Sequence, residues 1–200
     1  VTEMVYNTKI KVGISHGDIN GIGYEVIIKT LMDPYILEMC TPIVYGSPKV
    51  AAYHRKVLNI ETMSFNHVRN AQEASPNKAN IINCIDENIR VELGKSTPSA
   101  GESSFLALEK AASDLQKGLI DVLITAPIDK HNIQSDQFKF PGHTDYLTRF
   151  FNADDSVMLM VSESLKVGVV TGHIPLSDVA RILSKKKILS KLRIINKSLF

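Results

Sequence analysis

The stretch "IKVGISHGDINGIGYEVIIKTLMDP", residues 10–34, contains the three parts of a βα unit. Residues 10–15 are a short β-prone run and are predicted as a strand. Glycines at positions 17, 21 and 23 predict a loop, and residues 24–32 are predicted as a helix that stops near Asp33-Pro34. The order strand, glycine loop and helix is the repeating unit of an α/β fold.

The same alternation continues on both sides of this unit. Residues 120–128, "IDVLITAPI", form a continuous apolar run that predicts a strand buried on both faces. We therefore expect an α/β fold with a mixed, mostly parallel sheet flanked by helices in three layers, α/β/α. Further strands are predicted at residues 41–46, 80–85, 156–162 and 165–174. Further helices are predicted at residues 47–59, with Ser47 as N-cap, at 103–118, at 175–183 and at 184–200, with Ser184 as N-cap. A polar loop is predicted at residues 94–103.

Composition restricts the class of protein. The chain has 200 residues, of which 44% are hydrophobic and 22% charged, ordinary values for a globular α/β domain. Its two cysteines, Cys40 and Cys84, form neither a zinc pattern nor a disulfide framework. No amino-terminal signal and no apolar run of transmembrane length is visible, so we expect a cytoplasmic protein without a membrane partner.

Basic residues are concentrated near the end of the chain. Residues 179–200 contain seven Lys or Arg and no Asp or Glu. Such a segment could bind nucleic acid or a membrane, but apolar residues at helical spacing favour the solvated face of an amphipathic helix, so no nucleic-acid partner is expected. The apolar stripe runs to the end of the chain, which indicates either a covering partner or a longer protein, and we expect that Phe200 is not the natural end. The stripe consists of Ile188, Leu192, Ile195 and Leu199.

Two loops that follow predicted strands could bind a ligand. The glycine loop "HGDINGIGYE" could admit an anion close to its backbone and could turn His16 and Asp18 towards a cleft, but it matches neither G-x-G-x-x-G nor a P-loop. A tight structural turn is an equal alternative. The motif "LITAPIDK" places four residues just past a strand, where open α/β sheets bind ligands: Thr125, Pro127, Asp129 and Lys130. An ordinary solvated loop is the alternative there.

Two glycine-histidine pairs are the remaining candidates. His143 and Thr144, near a predicted helix start, suit a phosphate or carboxylate, although His143 could simply flank a helix cap. His173 follows a predicted strand, where a neutral imidazole could bind a divalent metal. A catalytic metal needs about three protein ligands. The other histidines show no spacing that would complete such a set, so a structural histidine is the alternative.

Taken in order, "GDINGIGYE", "GKSTPSAGESSFLALEKA", "LITAPIDK", "FPGHTDYL" and "VVTGHIPLSDV" resemble the 4-hydroxythreonine-4-phosphate dehydrogenase family of vitamin B6 biosynthesis. The resemblance runs from about Lys11 to the last residue. This chain departs from the usual pattern at His16 and Ile19-Asn20 in the first motif and at Gly172 in the last.

The resemblance implies an enzyme that uses NAD and a divalent metal (zinc, magnesium or cobalt). It would oxidise 4-phosphohydroxy-L-threonine to a β-keto acid that loses CO2 to give 3-amino-2-oxopropyl phosphate, in pyridoxal 5'-phosphate biosynthesis. It also implies a homodimer with the active site at the subunit interface. By motif, His143 and Thr144 match the pair that binds the small phosphorylated substrate, and His173 matches one of three metal-binding histidines.

Members of that family are longer. The resemblance therefore implies that residues 1–200 are the N-terminal portion of a two-domain α/β dehydrogenase, without the rest of the metal site and most of the NAD site, and that this portion alone is inactive. A dehydrogenase of a related four-carbon sugar-acid phosphate and a non-catalytic, truncated α/β anion-binding module remain alternatives.

Overall fold

The computed structural model describes residues 9–199, which form two compact units divided between His143 and Thr144. Phe200, on which the expectation about the chain end rests, lies outside the described residues. The first unit contains β1 (Ile10–Ser15), α1 (Gly23–Leu31), α2 (Pro34–Met39), β2 (Cys40–Gly46), α3 (Pro48–Val57), β3 (Asn66–Val68), a 3-10 turn (Ala71–Glu73), β4 (Asn80–Asn83), α4 (Pro98–Gln116) and β5 (Val122–Thr125). Helix α5 (His143–Phe150) begins at the division, and the second unit continues with β6 (Leu159–Val161), β7 (Lys166–Gly168), α6 (Leu176–Ile182) and α7 (Lys185–Leu199).

The first unit is built on a five-stranded parallel sheet with strand order β3-β4-β2-β1-β5. The central residues of strand β2 are apolar because its two faces are covered by different sets of side chains. Val44 packs in the cluster that contains residues of α1 and α3, whereas Ile43 and Tyr45 pack in the cluster that contains residues of α4. The predicted α/β class and its three layers are confirmed in this unit.

Strand β5 differs from its prediction. It is shorter than the apolar run, and Val122 and Ile124 are 42% and 51% exposed. The reason is that Val122 and Ile124 pack in neither hydrophobic cluster of the described residues. Strand β5 also lies at the edge of the sheet, where it pairs with β1 and with no other strand among residues 9–199. Leu123, on its other face, packs against the α4 cluster. The prediction of a strand buried on both faces was therefore wrong.

Helix α4 begins five residues earlier than predicted, so the predicted polar loop was wrong from Pro98 onward. The Thr97 hydroxyl accepts a hydrogen bond from the Ala100 amide at 3.3 Å, and Pro98 occupies the first helical position. A capping threonine followed by proline is a local helix-start signal. The cap predicted at Ser47 is confirmed, since its hydroxyl accepts from the Val50 amide. Helix α2, strand β3 and the 3-10 turn were not predicted.

The second unit contains an antiparallel pair in place of two longer predicted strands. Strands β6 and β7 pair from Leu159 opposite Gly168 to Val161 opposite Lys166. His173 lies five residues beyond the end of β7, in a bend, so its prediction at a strand end was wrong. Pairing stops at Gly168, and only the Val169 amide continues it, by a hydrogen bond to the Met158 carbonyl oxygen.

Helix α7 starts where predicted, with the Ser184 hydroxyl accepting from the Lys187 amide. Its inward face is partly polar: the Lys191 ammonium group lies 2.6 Å from the Asp155 carboxylate. Most of the predicted apolar stripe is exposed, namely Ile188, Leu192 and Leu199. No helix among residues 9–199 is both long and apolar enough to cross a bilayer.

Candidate functional site at the carboxyl end of the parallel sheet

The carboxyl ends of the neighbouring strands β1 and β5 lead into two loops. The glycine loop, residues 16–22, follows β1, and the β5 loop, residues 126–142, follows β5. Ligands of open α/β sheets bind at this edge. The β5 loop ends at His143, so the conformation of both loops positions a predicted site residue.

Asn20 ties the glycine loop to the segment before α4. Its side-chain amide donates to the Lys95 carbonyl oxygen at 2.9 Å and to the Thr97 hydroxyl at 3.0 Å, while its Oδ1 accepts from the Glu92 amide at 2.7 Å. Asn20 is 3% exposed. Its polar atoms are therefore satisfied inside the protein, and Asn20 holds the loop in place.

Asp18 ties the glycine loop to the β5 loop. Its Oδ1 accepts from the Asn20 amide at 2.7 Å, and its Oδ2 accepts from the Asn132 side-chain amide at 3.1 Å. The backbone amide of Asp18 donates to the Pro127 carbonyl oxygen at 2.9 Å. A buried carboxylate that accepts two hydrogen bonds holds its neighbours more firmly than a neutral acceptor would.

Two glycines allow these backbones to come close together. Gly17 has φ +73°, and a Cβ there would overlap the Pro127 carbonyl oxygen. In the first turns of α4, a Cβ on Gly101 would overlap the Asn132 carbonyl oxygen. The β5 loop is therefore held between the glycine loop and α4 at positions that tolerate no side chain.

His16 is a core residue. It is fully buried, and its ring stacks on Tyr24 at 5.3 Å, while Tyr24 stacks on His54 at 5.1 Å. Burial, only partly offset by the nearby backbone of Ser103, lowers the pKa of His16 to about 4, so the ring is neutral at pH 7. Neither ring nitrogen reaches good hydrogen-bond geometry with another described residue. For His16, the structure supports the structural alternative.

In the β5 loop, the Asp129 carboxylate accepts two hydrogen bonds. It accepts from the Ser96 hydroxyl at 2.5 Å and from the His131 amide at 2.8 Å. The hydrogen bond from Ser96 is the main reason that the pKa of Asp129 is lowered. Asp129 therefore anchors the loop to the segment before α4.

The side chain of Lys130 approaches Gly142, the residue before His143. The Lys130 Cε atom is 3.8 Å from the position that a Cβ on Gly142 would take, directly before His143. Burial, together with the positive charge of Lys130, lowers the pKa of His143, so its imidazole is neutral at pH 7. His143 is half-buried, and its Nε2 is screened from solvent without a hydrogen-bond partner among residues 9–199.

Thr144 and His173 belong to the second unit, and both are exposed. The Thr144 carbonyl oxygen accepts from the Thr148 hydroxyl at 2.7 Å inside α5. Within the described part of the chain, no three His, Cys, Asp or Glu side chains are grouped so that they could hold a metal ion. The residues present therefore do not form a catalytic metal site by themselves.

Sequence reasoning missed the residues that hold the two loops together. Asp18 and Asn132 are separated by 114 positions, and Asn20 and Thr97 by 77. Apolar periodicity and capping patterns extend over only a few residues and carry no information about such pairs. The only local signal was the position of Asp18 and Asn20 among the glycines after a strand.

Comparison with known proteins adds the family. The model of the family "Pyridoxal phosphate biosynthetic protein PdxA" matches residues 38–200. The chain is 49% identical to a 4-hydroxythreonine-4-phosphate dehydrogenase of Bacteroides thetaiotaomicron, over 96% of this chain and 52% of that protein. It is 30% identical to a protein of Oceanobacillus iheyensis provisionally named D-threonate 4-phosphate dehydrogenase, over 94% of this chain and 57% of that protein.

A solved structure agrees with these matches. The crystal structure of a 4-hydroxythreonine-4-phosphate dehydrogenase from Burkholderia phymatum superposes with a TM-score of 0.86 at 27% identity, over 96% of this chain and 59% of that one. The chain thus spans about half the length of the curated relatives that it matches. The fold, the match over residues 38–200 and the 49% identity agree, and the chain belongs to the PdxA family of pyridoxal phosphate biosynthetic proteins.

Proposed function

We propose that the complete protein oxidises 4-phosphohydroxy-L-threonine with NAD, and that the β-keto acid formed loses CO2 to give 3-amino-2-oxopropyl phosphate in pyridoxal 5'-phosphate biosynthesis. The observation that carries this proposal is the 49% identity, over 96% of the chain, to a relative named for the oxidation. Residues 1–200 are then the N-terminal portion of a two-domain dehydrogenase, inactive alone. We propose further that the enzyme is a cytoplasmic homodimer with its active site at the subunit interface.

The proposed cofactors depend mainly on residues outside this chain. NAD accepts the hydride that leaves the alcohol carbon. We propose that most of its binding residues, and two further ligands of a divalent metal (zinc, magnesium or cobalt), lie outside the 200 residues. His173 would be the third metal ligand, and its exposure leaves the imidazole accessible.

His143 and Thr144 are the proposed substrate-binding residues of this chain. A neutral imidazole carries one N–H donor and one acceptor nitrogen, so the His143 ring can donate a hydrogen bond to a substrate oxygen. The exposed Thr144 hydroxyl can supply a second donor. The hydrogen bond from Asn132 to Asp18 holds the β5 loop before these residues, which lowers the entropy lost when the substrate is oriented.

One observation favours a second candidate substrate. The relative from Oceanobacillus iheyensis, named for D-threonate 4-phosphate, matches 94% of this chain. D-threonate 4-phosphate is a four-carbon sugar-acid phosphate, and it carries a hydroxyl where 4-phosphohydroxy-L-threonine carries an amino group.

The test is NADH formation by the complete protein, with each of the two phosphates as substrate. We expect oxidation of 4-phosphohydroxy-L-threonine, and a His143→Ala variant should lose about 10- to 100-fold in kcat/KM, the range for one hydrogen bond to a charged group. His67→Gln, on the distant strand β3, is the matched control and should retain wild-type kinetics. Oxidation of D-threonate 4-phosphate alone would support the second candidate. NADH formation with neither phosphate would support the non-catalytic anion-binding module.

A further inference from the structure

One side chain joins the two ends of a segment within the β5 loop. The Gln134 side-chain amide donates to the Lys130 carbonyl oxygen at 3.1 Å and to the Phe140 carbonyl oxygen at 3.0 Å. These acceptors lie on opposite sides of Gln134 in the chain, four residues before it and six residues after it. A side-chain NH2 group carries two donor hydrogens, so the two bonds use the full donor capacity of Gln134.

The segment between these ends is anchored in the protein. Phe138 is fully buried, and its ring packs edge-on against Phe105 of α4 at 6.1 Å and against Phe140 at 5.5 Å. The Ser135 hydroxyl accepts from the Phe138 amide at 3.1 Å, and the Ser135 amide donates to the Phe138 carbonyl oxygen at 3.1 Å. Residues 130–140 therefore form a compact loop packed by its own side chains, a type of loop that often has a functional role.

The closed loop leads directly into His143. Only Pro141 and Gly142 separate His143 from Phe140, whose carbonyl group Gln134 holds. The proline ring fixes φ near −65°, so few rotatable bonds remain between the held carbonyl and the start of α5. At the other end of the loop, the Lys130 side chain approaches Gly142. Both backbone partners of Gln134 thus border the segment that carries the His143 imidazole.

We propose that Gln134 is a positioning residue, which holds the β5 loop in the conformation that places His143 for substrate binding. This assignment rests on the proposed function, since it takes His143 to bind the substrate. Both hydrogen bonds of Gln134 are exposed, so water can replace the side chain at the two carbonyl oxygens when it is removed. The loss then falls on the placement of His143 rather than on stability, and a misplacement of about 1 Å can cost about 100-fold in rate.

The first test is NADH formation by the complete protein with 4-phosphohydroxy-L-threonine. Gln134→Leu and Gln134→Glu keep the approximate size of the side chain but remove both donors, so each should lower kcat/KM about 10-fold. Gln134→Lys retains donor hydrogens and should stay within about threefold of wild type. Gln137→Leu is the matched control and should retain wild-type kinetics, because this exposed glutamine of the same loop makes no side-chain hydrogen bond with residues 9–199.

The second test determines whether Gln134 acts through His143. The double variant Gln134→Leu/His143→Ala should lose no more in kcat/KM than His143→Ala alone, because the group that Gln134 positions is gone. Losses that multiply would show that Gln134 acts independently of His143 and would overturn the assignment. Wild-type kinetics in Gln134→Leu, or an equal loss in Gln137→Leu, would also overturn it. Activity of Gln134→Lys above wild type, with Gln134→Glu below Gln134→Leu, would indicate an effect of charge and not of conformation.

A third readout requires no turnover. Hydrogen exchange of the Phe138 amide, which donates to Ser135 inside the loop, should be about 10-fold faster in Gln134→Leu and close to wild type in Gln134→Lys. Thermal unfolding of both variants should match wild type, because Gln134 is exposed. Equal exchange rates in wild type and Gln134→Leu would overturn the assignment. A wild-type protein that forms NADH with neither phosphate would overturn the proposed function, and faster exchange in Gln134→Leu would still support the hold of Gln134 on the loop.

Discussion

Acidification should destabilise the protein through His16. The pKa of His16 in the folded protein is lowered from 6.5 to about 4, because the ring is buried beneath Tyr24 and away from water. Between these two values the unfolded state binds more protons than the folded state, so stability falls as the pH falls. The contribution of His16 is constant above about pH 7.5, decreases below 6.5 and levels off below about pH 4.

The size of the effect follows from the same two values. The difference between pKa values of 6.5 and about 4 corresponds to a contribution of about 3 kcal/mol to the free energy of unfolding. About 2 kcal/mol of this contribution is lost by about pH 5. His16→Leu removes the titrating group and replaces it with a side chain of similar volume. The free energy of unfolding of this variant should therefore fall about 2 kcal/mol less than that of wild type between about pH 7.5 and pH 5.

The assay is urea-induced unfolding of the complete protein at these two pH values. Tyr24→Phe is the control, because it removes a hydroxyl that accepts from the Ser47 amide at 2.8 Å. It should lower stability by the same amount at both pH values, since burial raises the pKa of Tyr24 and the hydroxyl stays neutral. If wild type and His16→Leu lose equal stability on acidification, His16 is not the buried neutral group described, and the reasoning is wrong.

Three further outcomes are expected. Gly101→Ala should lower the free energy of unfolding by about 1–3 kcal/mol, because its Cβ would overlap the Asn132 carbonyl oxygen. Gly21→Ala is the control and should change the free energy of unfolding by less than about 1 kcal/mol, because the nearest atom lies 3.5 Å from its Cβ position. Urea-induced unfolding measures both variants. Asn20→Ala should cost at least about 2 kcal/mol in the same assay, because it leaves buried partners without hydrogen bonds, and a loss below about 0.5 kcal/mol would contradict its clamping role. Calorimetric titration with zinc should show no tight site in the 200-residue chain. The complete protein should show one tight site, and His173→Ala should abolish it. Tight zinc binding by the 200-residue chain would contradict this prediction and would place His16 or His143 among the metal ligands.

Much of the fold was predictable because its signals are local. Strand β1 has the predicted bounds, and α3 begins at the predicted serine cap and proline. Helix α4 could have been placed correctly from Thr97-Pro98, a cap signal that the polar composition of the segment concealed. Short elements such as β3 have too few residues for a periodic pattern, so sequence reasoning did not detect them.

The candidate site was predictable only in part. The position of Lys130 after a strand and of His143 at a helix start was visible in the sequence, but the approach of the Lys130 side chain to Gly142 was not, because the β5 loop has no regular structure. The motif resemblance indicated roles for His143, Thr144 and His173, and these remain predictions. The interior position of His16 was not foreseen, because a histidine beside glycines is equally compatible with a cleft and with a core.

The sequence by itself determined the longer strands and helices of the parallel sheet unit, the α/β class and the family, because apolar period, caps and motifs are properties of neighbouring residues. Only the tertiary structure decided that Asp18 bonds to Asn132, 114 positions away, and that β5 lies at the sheet edge with Ile124 exposed. The physical reason is that sequence patterns report only on residues close together in the chain. A hydrogen bond or an edge depends on which segments meet in space, and chain folding brings together residues whose local patterns are independent of one another.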